Sequence, residues 1–279
     1  VLNNLANIYD SRGQNDQAEQ LFQQSLSLFR DLGDKEGTAM TLFNLGHIGI
    51  KKSNYDEASR FAHESLVLAR ELDYKRLTAD ALICLCRVAL YHSNYEQALA
   101  LSEEAHALNI SMEYKLGIGD SLRVLGDVHQ FKGEWEKAIH YYQEGLALCR
   151  SINDIWGTAN ITQLLAVLEL EKENFEAARV LLEESLRLAR DMKSQQQSLL
   201  ALEGLALLNT RLGALEKAVS LWGFCDVLRQ ELGSVRDLLE QKRYETAFRV
   251  LRRHLGKKFE TLLEEGKAMN LEQVLDLTL

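Results

Sequence analysis

Seven histidines, four cysteines and one Gly-Lys-Lys step are the places where this chain of 279 residues could do chemistry, and their spacing supplies no reaction. His47, His63, His92, His106, His129, His140 and His254 are scattered, with no HExxH or similar ligand spacing. Cys84 and Cys86 lie two apart, and helical positions i and i+2 do not face one another, so neither a metal pair nor a redox couple is expected. With Cys149 and Cys225 they read as small buried side chains, kept reduced as thiols are in the cytosol. Gly256-Lys257-Lys258 lacks both the first glycine and the hydroxyl residue of a phosphate-binding loop. No nucleophile elbow or kinase-like set occurs. The expectation is a non-enzyme, with no catalytic residue, no metal and no cofactor.

Charge narrows the partners. The net charge of −9 opposes phosphate contact, which draws its affinity from basic side chains, so no direct nucleic acid contact is expected. The basic cluster Arg249, Arg252, Arg253, Lys257 and Lys258 reads as a solvated helix face. No apolar stretch reaches the ~20 residues that span a bilayer, and no signal peptide opens the sequence, so the expected location is cytoplasmic with no membrane contact.

The elements that carry these side chains follow from a repeat. Six strings align every 40 residues without a gap: GQNDQA ending at Ala18, SNYDEA at Ala58, SNYEQA at Ala98, GEWEKA at Ala138, ENFEAA at Ala178 and GALEKA at Ala218. The same register repeats a leucine at Leu5, Leu45, Leu85, Leu125, Leu165 and Leu205, and another at Leu28, Leu68, Leu108, Leu148, Leu188 and Leu228. A fixed period of this length marks a solenoid. Proline is absent and no strand-like alternation is present, so the chain is all-helical. Within the unit from Lys35 to Asp73, Asp34 is the expected N-cap of a first helix. A break falls at Lys52–Asn54, where Ser53 takes a slot held elsewhere by Gly13, Gly133 and Gly213. A second helix from Tyr55 to about Leu72 carries Ala58, Phe61, Ser65, Leu68 and Leu72 on its buried side. Small residues at Ala6, Gly46, Cys86, Gly126, Ala166 and Ala206 let the paired backbones approach closely. The aromatic starts of the second helices, Tyr55, Tyr95, Trp135 and Phe175, are expected to pack on the preceding helix.

Leu45-Gly46 … Ala58 … Ser65 resembles the tetratricopeptide repeat, in the 40-residue form of kinesin light chains and bacterial signalling ATPases. The resemblance implies an all-α, right-handed superhelical solenoid of six antiparallel helix pairs over residues 1–233, the first truncated at its N-terminus. Arg30, Arg70, Arg150 and Arg190 stand where such repeats often close on proline. Because residue 1 aligns inside a first helix, an excised piece of a longer protein is expected. Past Gly233 the period fails. Residues 234–279 read as a helical cap, with helices at about Val235–His254, Lys257–Met269 and Leu271–Thr278 and a capping box at Asn270 and Gln273. This tail resembles that of the bacterial signal-transduction ATPases with numerous domains, through Leu221, Trp222, Gly223, Arg229, Tyr244, Phe259, Gly266 and Leu271 among others.

Placing the family's inward positions on this chain gives a groove of Asn3, Asn7, Phe43, His47, Asp80, Ile83, Arg87, Tyr91, Asp120, Arg123, Asp127, Phe131 and Gln163. Aromatic area beside charges of both signs suits a peptide or a small polar inducer, and an ordinary solvated groove wall carries the same mix. In later repeats the inward positions become apolar (Leu164, Val167, Leu170, Leu200, Leu207), and the C-terminal helices are expected to cover them. The resemblance implies a ligand- or protein-binding sensor of a bacterial signalling or transcriptional regulator, with an ATPase or DNA-binding domain attached upstream. The alternative is a stand-alone scaffold that docks a peptide segment of a protein partner.

Overall fold

The computed structural model describes residues 1–11 and 13–278, and 15 α-helices with no strand fill them. They run α1 (Leu2–Ser11), α2 (Asn15–Asp31), α3 (Lys35–Lys51), α4 (Tyr55–Glu71), α5 (Lys75–Tyr91), α6 (Tyr95–Ser111), α7 (Lys115–Phe131) and α8 (Trp135–Ser151). Next come α9 (Ile155–Glu171), α10 (Phe175–Asp191), α11 (Gln195–Leu212) and α12 (Leu215–Glu231). The last three are α13 (Leu238–Leu255), α14 (Lys258–Lys267) and α15 (Leu271–Thr278). Two compact units result, one of Val1–Leu148 with Gly233–Val235 and one of Cys149–Leu232 with Arg236–Leu279.

The joints explain how a proline-free chain turns so often. From residue 13 to residue 233, every twentieth residue has positive φ: Gly13, Gly33, Ser53, Asp73, Ser93, Glu113, Gly133, Asn153, Glu173, Lys193, Gly213 and Gly233. At Ser53 its N–H donates to Ile50 O and the N–H of Asn54 to Gly49 O, a Schellman closure. Seven of these residues are not glycine, although the left-handed conformation costs an L-residue about 1–2 kcal/mol. The carbonyls satisfied at each helix end, and the packing of the helices beyond, hold them there. At the other ends Asp34 accepts from Gly37 N at 2.9 Å, as expected, and Asp154 from Gly157 N at 3.0 Å.

In the first unit the repeated leucines of the first helices, Leu45, Leu85 and Leu125, are buried, whereas Leu5 is exposed. The six period-40 alanines are fully buried, and a Cβ on Gly46 would stand 3.3 Å from Ala58 O, the close approach that the small residues permit. Two expectations need correction. Leu72 is exposed, because it caps α4 beyond the last buried turn. Tyr55 stacks on Tyr91 of the following repeat, ring centroids 3.6 Å apart, so this aromatic serves the contact between repeats.

The arginines in place of the closing proline have a task of their own. Arg30 pairs with Glu64, Arg70 with Glu104 and Arg150 with Glu184, each 34 residues on, in the second helix of the next repeat. The register puts Ile110, an exposed side chain, opposite Glu144. Ile110→Arg is expected to complete the ladder and raise stability by about 0.2–1 kcal/mol, a gain that Glu144→Ala should abolish in a double-mutant cycle read by thermal melting.

In the second unit α13 lies against α11 and α12, while α14 and α15 lie against α12. Leu170 and Leu207 share one core with Ala247, Phe248, Leu251, Phe259 and Leu263; Val167 is buried, and Leu164 and Leu200 are half-buried. Helices α12 and α14 touch backbone to backbone. A Cβ on Gly223 would meet Leu263 O at 2.4 Å, and one on Gly266 would meet Ser220 O at 2.2 Å. Asn270 and Gln273 form the expected reciprocal cap, at 2.9 and 3.0 Å. A buried polar knot ties α11, α12 and the segment before α13. Arg229 donates to Glu203 (Nε–Oε1 3.0 Å), and Arg236 bridges Glu203 and Asp226 at 2.8 Å each while lying over the Tyr244 ring.

Candidate functional site

Inward positions fall on α1, α3, α5, α7 and α9, the first helix of each pair. Twelve of the thirteen lie in the first unit, where α3, α5 and α7 stand side by side as a wall. Gln163 lies on α9 in the second unit and is buried. Positions 80, 83, 87 and 91 share a face of α5, because helical residues spaced by three and four fall on one side.

The wall divides into groups already satisfied and groups left open. Arg123 is 6% exposed and fully engaged: Nε and Nη2 donate to Asp120 Oδ1 (3.0 and 2.7 Å), and Nη1 donates to Asp127 Oδ2 (2.7 Å). Asp127 also accepts from the buried Tyr142 hydroxyl at 2.7 Å, so this trio anchors α7 to α8. Burial works against the Asp120 carboxylate, but Arg123 and Arg87 beside it hold its pKa below the usual range. Arg123 therefore braces the wall rather than offering a charge to a ligand. Ile83 is buried, and Phe131 packs against the core of the unit.

His47 stacks on Phe43, centroids 6.4 Å apart. Burial lowers its pKa to about 4, helped by Lys51 and Arg87, so the ring is neutral at pH 7. Lys51 itself pairs with Asp10 at 2.7 Å. Burial pushes the Asp80 carboxyl up to about 6, opposed by Arg76 and reinforced by Asp120. Tyr91 and Asn7 are exposed, and Asn3 is half-buried.

Sequence reasoning missed Asp10, Lys51, Arg76, Tyr55 and Tyr142. Lys51 follows His47 by four, a spacing that places it on the same face. Tyr142, on a second helix, carries no such signal. A cleft of about 280 Å³ in the second unit, lined by Ser198, Phe224, Leu228, Met269 and Leu271 among others, contains none of the inward residues. The four cysteines are free and buried; burial raises the Cys84 and Cys86 thiols to about 12, far from a reactive thiolate. Among the described residues no helix is long and apolar enough to cross a membrane.

The tetratricopeptide repeat model matches residues 1–71, 77–151 and 118–191. No curated protein matches the sequence. Among solved structures, a Rap protein complexed with competence and sporulation factor superposes with a TM-score of 0.68 at 13% identity, over 95% of this chain and 75% of that one. A Rap conjugation gene regulator in complex with the Phr* peptide gives 0.66 at 14% identity, over 90% and 73%. A signal transduction ATPase with numerous domains and a tetratricopeptide repeat sensor, from Pyrococcus horikoshii, gives 0.61 at 17% identity, over 95% of this chain and 43% of that one. At such identities the likeness is one of fold.

Proposed function

Because this chain belongs to the tetratricopeptide repeat family, we propose that it is a non-catalytic interaction domain of a bacterial signalling or transcriptional regulator, receiving a peptide or small polar ligand on the wall of α3, α5 and α7. The observation that carries this reading is the α5 face, where exposed Tyr91 stands one turn from half-buried Arg87. An aromatic beside a charged group is the pairing that dominates many binding hot spots. Support comes from the solved structures with peptide or protein factors bound to similar folds and from the repeat sensor of the signalling ATPase. In such a regulator the ligand would act by binding one state of the whole protein better than another. The repeats to residue 233 would carry recognition, and residues 234–279 would close the array.

Calorimetric titration of the chain against peptides, sugars, nucleotides and amino acids tests this. A ligand bound by the wild type is expected to lose at least about tenfold in affinity with Tyr91→Ala, since removing a hot-spot aromatic costs ~2 kcal/mol or more. Binding indifferent to both Tyr91→Ala and Phe43→Ala would place recognition elsewhere.

A further inference from the structure

Resting on the reading of this wall as the binding surface, we propose that its ligand is a zwitterion of tripeptide size, with its carboxylate at Arg87 and its ammonium group at Asp80. The argument starts from which charges are already spent. Arg123 is taken up by Asp120 and Asp127, and Lys51 by Asp10. Arg87 is half-buried and makes no hydrogen bond or ion pair among the described residues, although Asp120 and His47 lie within its electrostatic reach. A guanidinium in that position is an open fork for a carboxylate, which it can grip through two parallel bonds.

Asp80 is the complement. It too is half-buried without a hydrogen bond or ion pair, because Arg76, one turn before it, lies instead over the Tyr114 ring at 5.0 Å. Burial and the nearby Asp120 make its negative charge costly, and a ligand ammonium would offset that cost. Asp80 and Asp120 together repel a polyanion, which disfavours a nucleotide or phosphorylated ligand at this wall.

Arg87 and Asp80 cannot satisfy each other. Seven residues of helix separate them by ~10 Å. That span also measures the ligand, since an extended chain covers about 3.3–3.6 Å per residue and three residues bridge the gap. Between the two charges the face offers Ile83, an apolar floor, and beyond Arg87 it ends at the ring of Tyr91. A short peptide with free termini and an apolar side chain in the middle meets all four features.

Equilibrium dialysis of the whole chain against pooled tripeptides with leucine fixed at the centre tests the proposal. The pool with free termini is expected to be retained, and pools acetylated at the amine or amidated at the carboxylate at least tenfold less. Arg87→Ala should erase discrimination by the carboxyl end alone, and Asp80→Asn discrimination by the amino end alone. Arg87→Lys, which keeps the charge, should retain part of it, and unchanged melting curves exclude unfolding as the cause. Equal retention of doubly blocked pools, or no retention of any pool by the folded wild type, overturns the proposal. If longer peptides bind irrespective of their termini and lose affinity with Tyr91→Ala, the end-recognition falls while the wall stands as the binding surface. If bound peptides ignore Tyr91→Ala as well, both fall.

Discussion

Removing residues 235–279 is expected to cost the second unit its cooperative fold. Phe248, Leu251, Phe259 and Leu263 all come from α13 and α14 and are buried in the core that contains Leu170, Leu207 and Trp222. Each such side chain is worth about 1.5–3 kcal/mol when buried. Four of them together rival the 5–15 kcal/mol or so that hold a typical domain folded. The truncated chain should aggregate or lose the helicity of α11 and α12, seen by size-exclusion chromatography and circular dichroism. A monomeric truncation with unchanged helicity per remaining residue would show that the cap is dispensable.

The second large effect is expected at Arg229, which is 5% exposed. Its guanidinium donates to Glu203 and lies 3.6 Å from Glu240, a carboxyl that burial and Asp237 raise to about 7. Arg229→Ala leaves Glu203 with Arg236 alone and deprives Glu240 of its cation. Breaking a buried pair in this way costs about 3–5 kcal/mol, because the remaining charge stays out of water. The double change Arg229→Met with Glu203→Leu should recover most of the loss, since two apolar groups of similar size need no partner, and Arg236 keeps Asp226. Urea denaturation of the single and double variants separates lost charge compensation from lost packing. Equal destabilisation by both would assign the effect to packing.

Much of this architecture is legible in the residues. The period-40 alanines and the leucine register place each helix to within about a turn, and Asn270 with Gln273 marks the start of α15. The tail residues that resemble the signalling ATPases turn out to be cap contacts: Gly223 and Gly266 where two backbones meet, Arg229 in the knot, Phe259 in the core. The candidate site is less legible, for a physical reason. A sequence shows which charges share a face but not which have found a partner. Arg87 and Arg123 read alike as groove arginines, yet Asp120 and Asp127 flank Arg123 at spacings of three and four and occupy it completely. Tyr91 reads as a free anchor, and only the fold brings Tyr55 against it from the repeat before.

The left-handed joints recur every 20 residues, whereas the buried faces recur every 40. For a gene that lengthens or shortens by unequal crossing-over, these two rhythms set different rules. An exchange that adds or drops 40 residues keeps both the bend and the face, wherever in the repeat it falls. One that adds or drops 20 keeps the bend but puts an outer helix where an inner one belongs, stranding apolar side chains in water. The array can thus change length only by whole pairs, and inheritance meets a coarser unit than the backbone does.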